Sequence, residues 1–119
     1  MLRDKNKIKQ AAKKRRQRRT RAKIFGTAKL PRLNITKSLN HLYLQLIDDQ
    51  KGKTLVSLHT KNLKIKGAKV DVAKSAGQKL AEQALSRKID KCVFDKASYL
   101  YHGRVKAAAE GARQAGLKF

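Results

Sequence analysis

The sequence predicts an α/β domain in which a mixed four-stranded sheet packs with two helices, preceded by a basic N-terminal helical arm. Three observations lead to this fold class. Residues 1–23 are strongly basic and carry no hydrophobic stripe. Residues 32–38 and 41–47 alternate apolar and polar side chains, as half-buried strands do, and 53–58 read as a third strand. From Val70 onward apolar residues recur at helical spacing. Taken together with a short β-rich run between the two helices, these observations give the element order basic arm, β, β, β, α, β, α.

The basic arm is predicted to span residues 1–23, ahead of a single globular domain at 24–119. A chain of 119 residues has room for one such domain. The arm holds 12 of the 31 basic side chains and one acid, Asp4, so its net charge is +11. Its residues favour helix, but like charges at i and i+4, as at Lys9 and Lys13, repel each other. We therefore expect a helix that is frayed when free and forms on phosphate; a solvated or nuclear-localising tail is the alternative.

Three strands are expected at 32–38, 41–47 and 53–58. In the second strand, the leucines at 42, 44 and 46 share one face. Residues 48–52 supply turn chemistry, so the three strands should form an antiparallel meander. The core of the first strand is expected at residues 33–36, which include no acid.

Two amphipathic helices and a further strand complete the predicted domain. The first helix begins at Val70, and Gly77 on its apolar face indicates a close approach of the helix to the sheet. A short β-rich run follows at 89–95, and a second helix at 104–115 ends before Gly116 as its cap. The last strand should join a meander strand in parallel through a right-handed crossover.

The formal net charge of +23 indicates a polyanionic partner: nucleic acid, an anionic membrane surface or an acidic protein. A pI near 10.8 favours nucleic acid. No run of 18 apolar residues is present, so no membrane span is expected, and the charged N-terminus does not resemble a secretory signal. The single cysteine, Cys92, lies in an apolar run and is expected to be a buried hydrophobe in a reducing compartment.

Catalysis and metal binding find little support in the acids and histidines. Nucleases that hold metal ions between strand-borne acids share this element order, and Asp95 ends a strand as a metal ligand can. However, Asp48 and Asp49 fall in a hairpin turn, where aspartate is common because its side chain accepts hydrogen bonds from the turn's own backbone. The three histidines lack metal-ligand spacing, and no Gly-rich phosphate loop occurs. We predict no enzyme activity, metal or cofactor; a metal-dependent nuclease and a domain that binds an acidic protein are the rival functions.

Two further segments can contact nucleic acid. Residues 61–69 contain four lysines between a strand and a helix, although a merely soluble loop has the same composition. Residues 97–104 open a helix and concentrate two Tyr, a His and an Arg, which can stack on unpaired bases while the helix N-terminus offers N–H groups to a phosphate. One of the two tyrosines, Tyr99 or Tyr101, is expected to close the core instead.

Four stretches of the chain carry a resemblance to a known family. Residues 94–107 read FDKASYLYHGRVKA, residues 112–119 read ARQAGLKF, residues 32–35 read RLNI and residues 38–49 read SLNHLYLQLIDD. Together with the basic arm in front of them, these stretches resemble the bacterial large-subunit ribosomal protein L18 family over essentially the whole chain. The segment YHGRVKA after FD is the most specific part of the resemblance.

The resemblance implies a protein that binds 5S rRNA and helps to attach it to 23S rRNA in the central protuberance of the large ribosomal subunit. It also implies other large-subunit ribosomal proteins as partners, a cytoplasmic location, no membrane partner and no homo-oligomer. The family's fold is related to the nuclease fold without its catalytic acids. The chain departs from the family pattern at 96–98, where Arg-Gly-Gly is usual, and at Leu39, where Asn is common. Lys96 keeps the charge but loses the bidentate fork of arginine.

The predicted RNA-binding residues divide between the arm, for adhesion to phosphate, and the domain, for selection of the RNA. Those of the arm are Lys9, Lys13, Lys14, Arg15, Arg16, Arg18, Arg19, Arg21 and Lys23. Those of the domain are Arg32, Lys37, His41, Lys96, Tyr99, His102 and Arg104.

Overall fold

The computed structural model describes residues 2–22, 24–63, 67–95 and 101–119. In chain order the helices are α1 (Leu2–Ala22), α2 (Lys69–Ser86) and α3 (Gly103–Gln114), and a 3₁₀ turn covers Thr60–Asn62. The strands are β1 (Arg32–Lys37), β2 (Leu42–Asp48), β3 (Lys53–His59) and β4 (Val93–Asp95). The predicted fold class is confirmed, including the N-terminal helix. The dependence of that helix on phosphate stays a prediction.

The four strands form one mixed sheet in the order β3-β2-β1-β4. β1 pairs antiparallel with β2, and β2 with β3, which is the predicted meander. β4 pairs with β1 in parallel after the crossover through α2, as expected. The sheet therefore places the turn between β1 and β2 at the same end as the segment that follows β3.

The fourth strand is shorter than predicted. Only Val93–Asp95 pairs with β1, whereas the residues before it pair with the last residues of the chain. Cys92 N–H donates to the Lys118 carbonyl at 3.0 Å, and Lys118 N–H donates to the Asp90 carbonyl at 2.9 Å. The strand predicted at 89–95 is therefore divided: its last residues pair with β1, and the residues before them pair with the end of the chain. The composition of the run does not reveal this division.

The hydrophobic core lies between one face of the sheet and the two helices α2 and α3. Leu33 and Ile35 of β1 are fully buried in it, beside Leu44 of β2 and Leu80 of α2. The expectation that all of residues 33–36 are core is wrong, because side chains alternate across a strand. Asn34 is half-buried and Thr36 is exposed on the opposite face, which we call the open face of the sheet.

Two glycines allow α2 and α3 to pack backbone to backbone. A β-carbon on Gly77 would overlap the carbonyl oxygen of Ala108, and one on Gly111 would overlap that of Lys74. Gly77 does mark a close approach of α2, but the prediction that the sheet is its partner is wrong, since the backbone that it meets belongs to α3. These two glycines thus let α3 pack closely against α2.

Candidate nucleic-acid interface

The helix α1 presents positive charge around its whole circumference. Seven predicted RNA-binding side chains in it are exposed: Lys9, Lys13, Lys14, Arg15, Arg16, Arg18 and Arg19. Even the apolar Ile8 is 65% exposed, so α1 has no buried face along 6–19 except for partial cover at Ala12 and Gln17. Arg21 belongs to the helix, although its side chain lies outside the described part, and Lys23 lies outside the described residues. A helix of this kind suits a polyanion rather than a protein core.

Arg32 does not belong to the interface, which corrects the prediction from the sequence. It is 5% exposed, and its guanidinium is held by two carboxylates. Nε and Nη2 donate to the two oxygens of Asp49 at 2.9 and 3.0 Å, while Nη1 donates to Asp95 at 2.7 Å. The hydrogen bond to Asp49 raises the pKa of Arg32, against the opposing effect of burial, and the bond to Asp95 raises it further. The planar fork of arginine thus joins three parts of the domain and is too buried to contact RNA.

The two turn aspartates have different roles. Asp48 accepts from the backbone N–H groups of Gln50 and Lys51, as turn chemistry predicts. Asp49 accepts from Gly26 N–H at 2.8 Å as well as from Arg32. The expectation that both acids serve the turn alone is therefore wrong for Asp49, which fastens the chain entering β1 to the sheet.

An aromatic pocket lies at the end of the sheet where β1 leads into β2. It has a volume of about 340 Å³ and is lined by Thr36, Lys37, Ser38, His41, Leu42, Tyr43 and His59. The His59 ring lies 5.5 Å from that of His41 and 5.7 Å from that of Tyr43, centroid to centroid. Two predicted residues, Lys37 and His41, thus meet in this pocket.

A cationic pocket lies next to the aromatic pocket and shares His41 and Leu42 with it. Its volume is about 190 Å³, and its basic side chains are Lys61, Lys69 and Arg104. Arg104 Nη2 donates to the Ser38 carbonyl at 2.9 Å, and Lys69 Nζ donates to the Leu39 carbonyl at 2.8 Å. Among the described residues, Arg104 Nη1 is a buried side-chain donor without a hydrogen-bond partner. A buried donor of this kind is costly to leave unpaired.

The remaining predicted residues lie near the start of α3 or cannot be placed. His102 is exposed at the N-cap of α3, two residues before Arg104, and its side chain makes no capping hydrogen bond. Lys96 and Tyr99 lie outside the described residues. Tyr101 is 38% exposed and makes an edge contact with Phe94, so it covers the core only in part.

The sequence prediction missed Tyr43, His59, Lys61 and Lys69 as residues of this end of the domain. The register gives the missing signal for the first two, since Tyr43 pairs with His59 across β2 and β3. Ending the third strand at residue 58 concealed that pair. The lysines belong to the basic segment 61–69 that the sequence singled out, of which 64–66 lie outside the described residues.

Metal and membrane chemistry are not indicated by the described part of the chain. Within it, no three His, Cys, Asp or Glu side chains are grouped so as to hold a metal ion. No helix in the described segments has the length and apolar character needed to span a bilayer.

Known proteins match the chain over nearly its whole length. The sequence model of the family described as "Ribosomal L18 of archaea, bacteria, mitoch. and chloroplast" matches residues 7–119. A protein of Exiguobacterium sp. is 52% identical over 114 residues, which cover 93% of this chain and 95% of the relative. One of Mesoplasma florum is 50% identical over 111 residues, covering 93% and 96%. One of Spiroplasma kunkelii is 52% identical over 113 residues, covering 92% of each. All three bear the name "Large ribosomal subunit protein uL18".

Proposed function

The chain belongs to the ribosomal L18 family, and we propose that it is a protein of the large ribosomal subunit that binds 5S rRNA and helps to attach it to 23S rRNA in the cytoplasm. The basic helix α1 supplies most of the affinity by neutralising phosphates. The end of the domain around His41 and Arg104 selects the RNA. The gathering of Lys37, His41 and Arg104 around two adjoining pockets is the observation that carries this proposal.

The charge distribution supports two modes of contact. The arm of residues 1–23 has a net charge of +11, which leaves +12 on the other 96 residues. Contacts from lysine and arginine to phosphate release counterions and carry little sequence information. Sequence-selective recognition of RNA instead uses unpaired bases, aromatic rings and RNA shape. The exposed α1 fits the first mode, and the ring-lined end of the sheet fits the second.

The two RNAs can be held by different parts of the chain. A long exposed helix reaches beyond the domain from which it projects, since each residue adds 1.5 Å along its axis. α1 can therefore contact one RNA while the domain contacts the other. We assign 5S rRNA to the domain, with α1 lying where 5S and 23S rRNA meet. Other large-subunit ribosomal proteins are the chain's further partners.

A metal-dependent nuclease is disfavoured by the environment of the acids. Asp95 is fully buried and accepts hydrogen bonds from Arg32 and Asn34, so its carboxylate faces a guanidinium. Asp49 faces the same guanidinium. A carboxylate committed to an internal cation is a poor ligand for a second one. Incubation of the pure protein with RNA and Mg²⁺ or Mn²⁺ tests this directly, and cleavage abolished by Asp95→Asn would overturn the proposal.

Crosslinking identifies the RNA without prior choice of a target. The chain is crosslinked to total cellular RNA, and both the RNAs and the joined residues are identified. We expect 5S and 23S rRNA, with crosslinks from 1–23 and from the residues around His41. Crosslinks spread over RNAs in proportion to their abundance would instead indicate an unspecific polycation.

A further inference from the structure

We propose that the aromatic pocket formed by His41, Tyr43 and His59 binds one unpaired RNA base by stacking. This site rests on the proposed function, because it takes RNA to be the ligand, and it specifies which part of the domain reads a base. Tyr43 and His59 are assigned here to RNA recognition, beside His41.

The register of the sheet creates the pocket. Thr36 of β1 pairs with Tyr43 of β2, and Tyr43 pairs with His59 of β3. The three residues therefore form a row across the open face, opposite the helices. Tyr43 and His59 are half-buried, so each side chain packs partly against the domain and stays partly accessible. Tyr43 and His59 supply two rings of this row, and aromatic side chains are the usual platform for the π face of a base.

The two imidazole rings are held in place before any ligand arrives. Lys61 N–H donates to His59 Nδ1 at 3.0 Å, and His59 lines the aromatic pocket. His41 Nδ1 lies 3.2 Å from the hydroxyl of Thr60, which also accepts from Leu42 N–H at 3.0 Å. Both imidazoles are thus held by the same 3₁₀ turn after β3. Preorganised rings lose little conformational entropy when a base binds.

The cationic pocket beside these rings gives a reason why the occupant is a nucleotide rather than an apolar side chain. His41 lines both pockets, so a base on its ring lies next to Lys61, Lys69 and Arg104. Within the part of the chain that the structure describes, Nη1 of Arg104 is buried at that position without a hydrogen-bond partner. An apolar side chain from a protein would bring no charge to these basic side chains, whereas the phosphate attached to a stacked base would bring a negative charge to them.

Two substitutions at His59 separate stacking from structure. His59→Asn removes the ring but keeps a side-chain acceptor for Lys61 N–H, since asparagine caps turns well. His59→Phe keeps a ring but removes that acceptor. If the pocket stacks a base, His59→Asn should weaken binding of the full-length chain to a 5S rRNA transcript by about tenfold, and His59→Phe should retain most of the affinity.

Thermal melts of both variants establish that each is folded at the temperature of the binding measurement. Equal affinities of His59→Asn and wild type, or a loss only in His59→Phe, would overturn the pocket while leaving 5S binding intact. A pocket that receives a protein side chain instead of a base would give the same outcomes. If wild type shows no preference for 5S rRNA, the proposed function fails, and the pair is compared on single-stranded polyadenylate. There, weaker binding by His59→Asn alone still supports stacking, and equal binding overturns it.

Discussion

Nη1 of Arg32 donates a 2.7 Å hydrogen bond to the carboxylate of Asp95, 63 residues further along the chain. The two residues begin and end paired strands, β1 and β4, and both are buried. This contact joins the strand that follows the crossover to the meander. It also determines what each residue can do, because neither the cation nor the acid is left for RNA or for a metal ion.

Breaking this contact should destabilise the domain. Arg32→Ala leaves two carboxylates without their guanidinium, and Asp95 is fully buried, so the free energy of unfolding should fall by about 3–5 kcal/mol. Urea denaturation measures the loss. The control is Lys106→Ala, which removes an exposed i,i+4 pair to Glu110 at 3.9 Å and should cost at most about 0.5 kcal/mol. Similar losses in the two variants would show that the Arg32 cluster is not structural.

Gly77→Ala should also destabilise the protein, although alanine is the better helix former. The added β-carbon overlaps the Ala108 carbonyl, which is backbone and cannot move aside without shifting α3. Overpacking of this kind costs about 1–3 kcal/mol. The melting temperature of Gly77→Ala is compared with that of Gln83→Ala, a substitution at an exposed position of the same helix. A Gly77→Ala protein that melts at or above the wild-type temperature would refute the tight packing of α2 on α3.

Cys92 should make stability depend on pH in the alkaline range. Burial raises the pKa of its thiol from 9.0 to about 12, with a smaller opposing effect of Arg113. The folded state therefore favours the neutral thiol, and this contribution is complete below pH 9 and is lost as pH rises from 9 to 12. For one such group the loss is about 1.4 kcal/mol per pH unit within that window.

Urea unfolding at pH 8, 9, 10 and 11 tests this dependence. Other groups titrate in the same range, so the quantity compared is the difference in slope between wild type and Cys92→Ala. Wild type should lose stability more steeply above pH 9. Parallel slopes for the two proteins would contradict burial of the thiol.

Removing residues 1–23 should weaken binding to 5S rRNA strongly and flatten its salt dependence, while the domain keeps a cooperative melt. Each phosphate contact contributes about 0.7–0.9 to the slope of log affinity against log salt concentration, so roughly 6–10 contacts give a steep dependence. Replacing Arg15, Arg16, Arg18 and Arg19 by Gln keeps the length of the arm and should remove part of that slope. An unchanged slope in both variants would show that α1 does not bind phosphate.

Circular dichroism of a peptide of residues 1–23 tests coupled folding of the arm. α1 is helical and exposed along 6–19, but like charges along every face oppose an isolated helix. The free peptide should show little helix and gain it when RNA is added. Full helicity without RNA would refute the coupling.

The sequence was sufficient for the order and pairing of the strands because alternation and turn residues are local signals. It failed at Arg32, since an arginine that begins a strand looks like a surface residue unless its partners are known. Those partners lie 17 and 63 residues away and meet it only in the folded sheet. The short β4 has the same cause, because the pairing of Cys92 with Lys118 is a contact between distant segments.

The candidate site was predictable only in part. Charge identified α1, and the family motif identified Arg104 and His41. Tyr43 and His59 are a cross-strand pair, so finding them requires the register of β2 and β3 to the exact residue. The two pockets adjoin at His41 because α3 brings Arg104 to that end of the sheet. The position of α3 depends on its packing at Gly77 and Gly111, which the sequences of β2 and β3 do not reveal.

Competition binding tests the central claim, that this chain selects 5S rRNA, most directly. The full-length protein is bound to labelled 5S rRNA at physiological salt, and unlabelled 5S rRNA or a transfer RNA of similar charge density is added in increasing amounts. Because phosphate contacts alone do not discriminate between RNAs, the account predicts displacement by 5S rRNA at concentrations at least about tenfold lower than by transfer RNA. Displacement by both RNAs at the same concentration would contradict it.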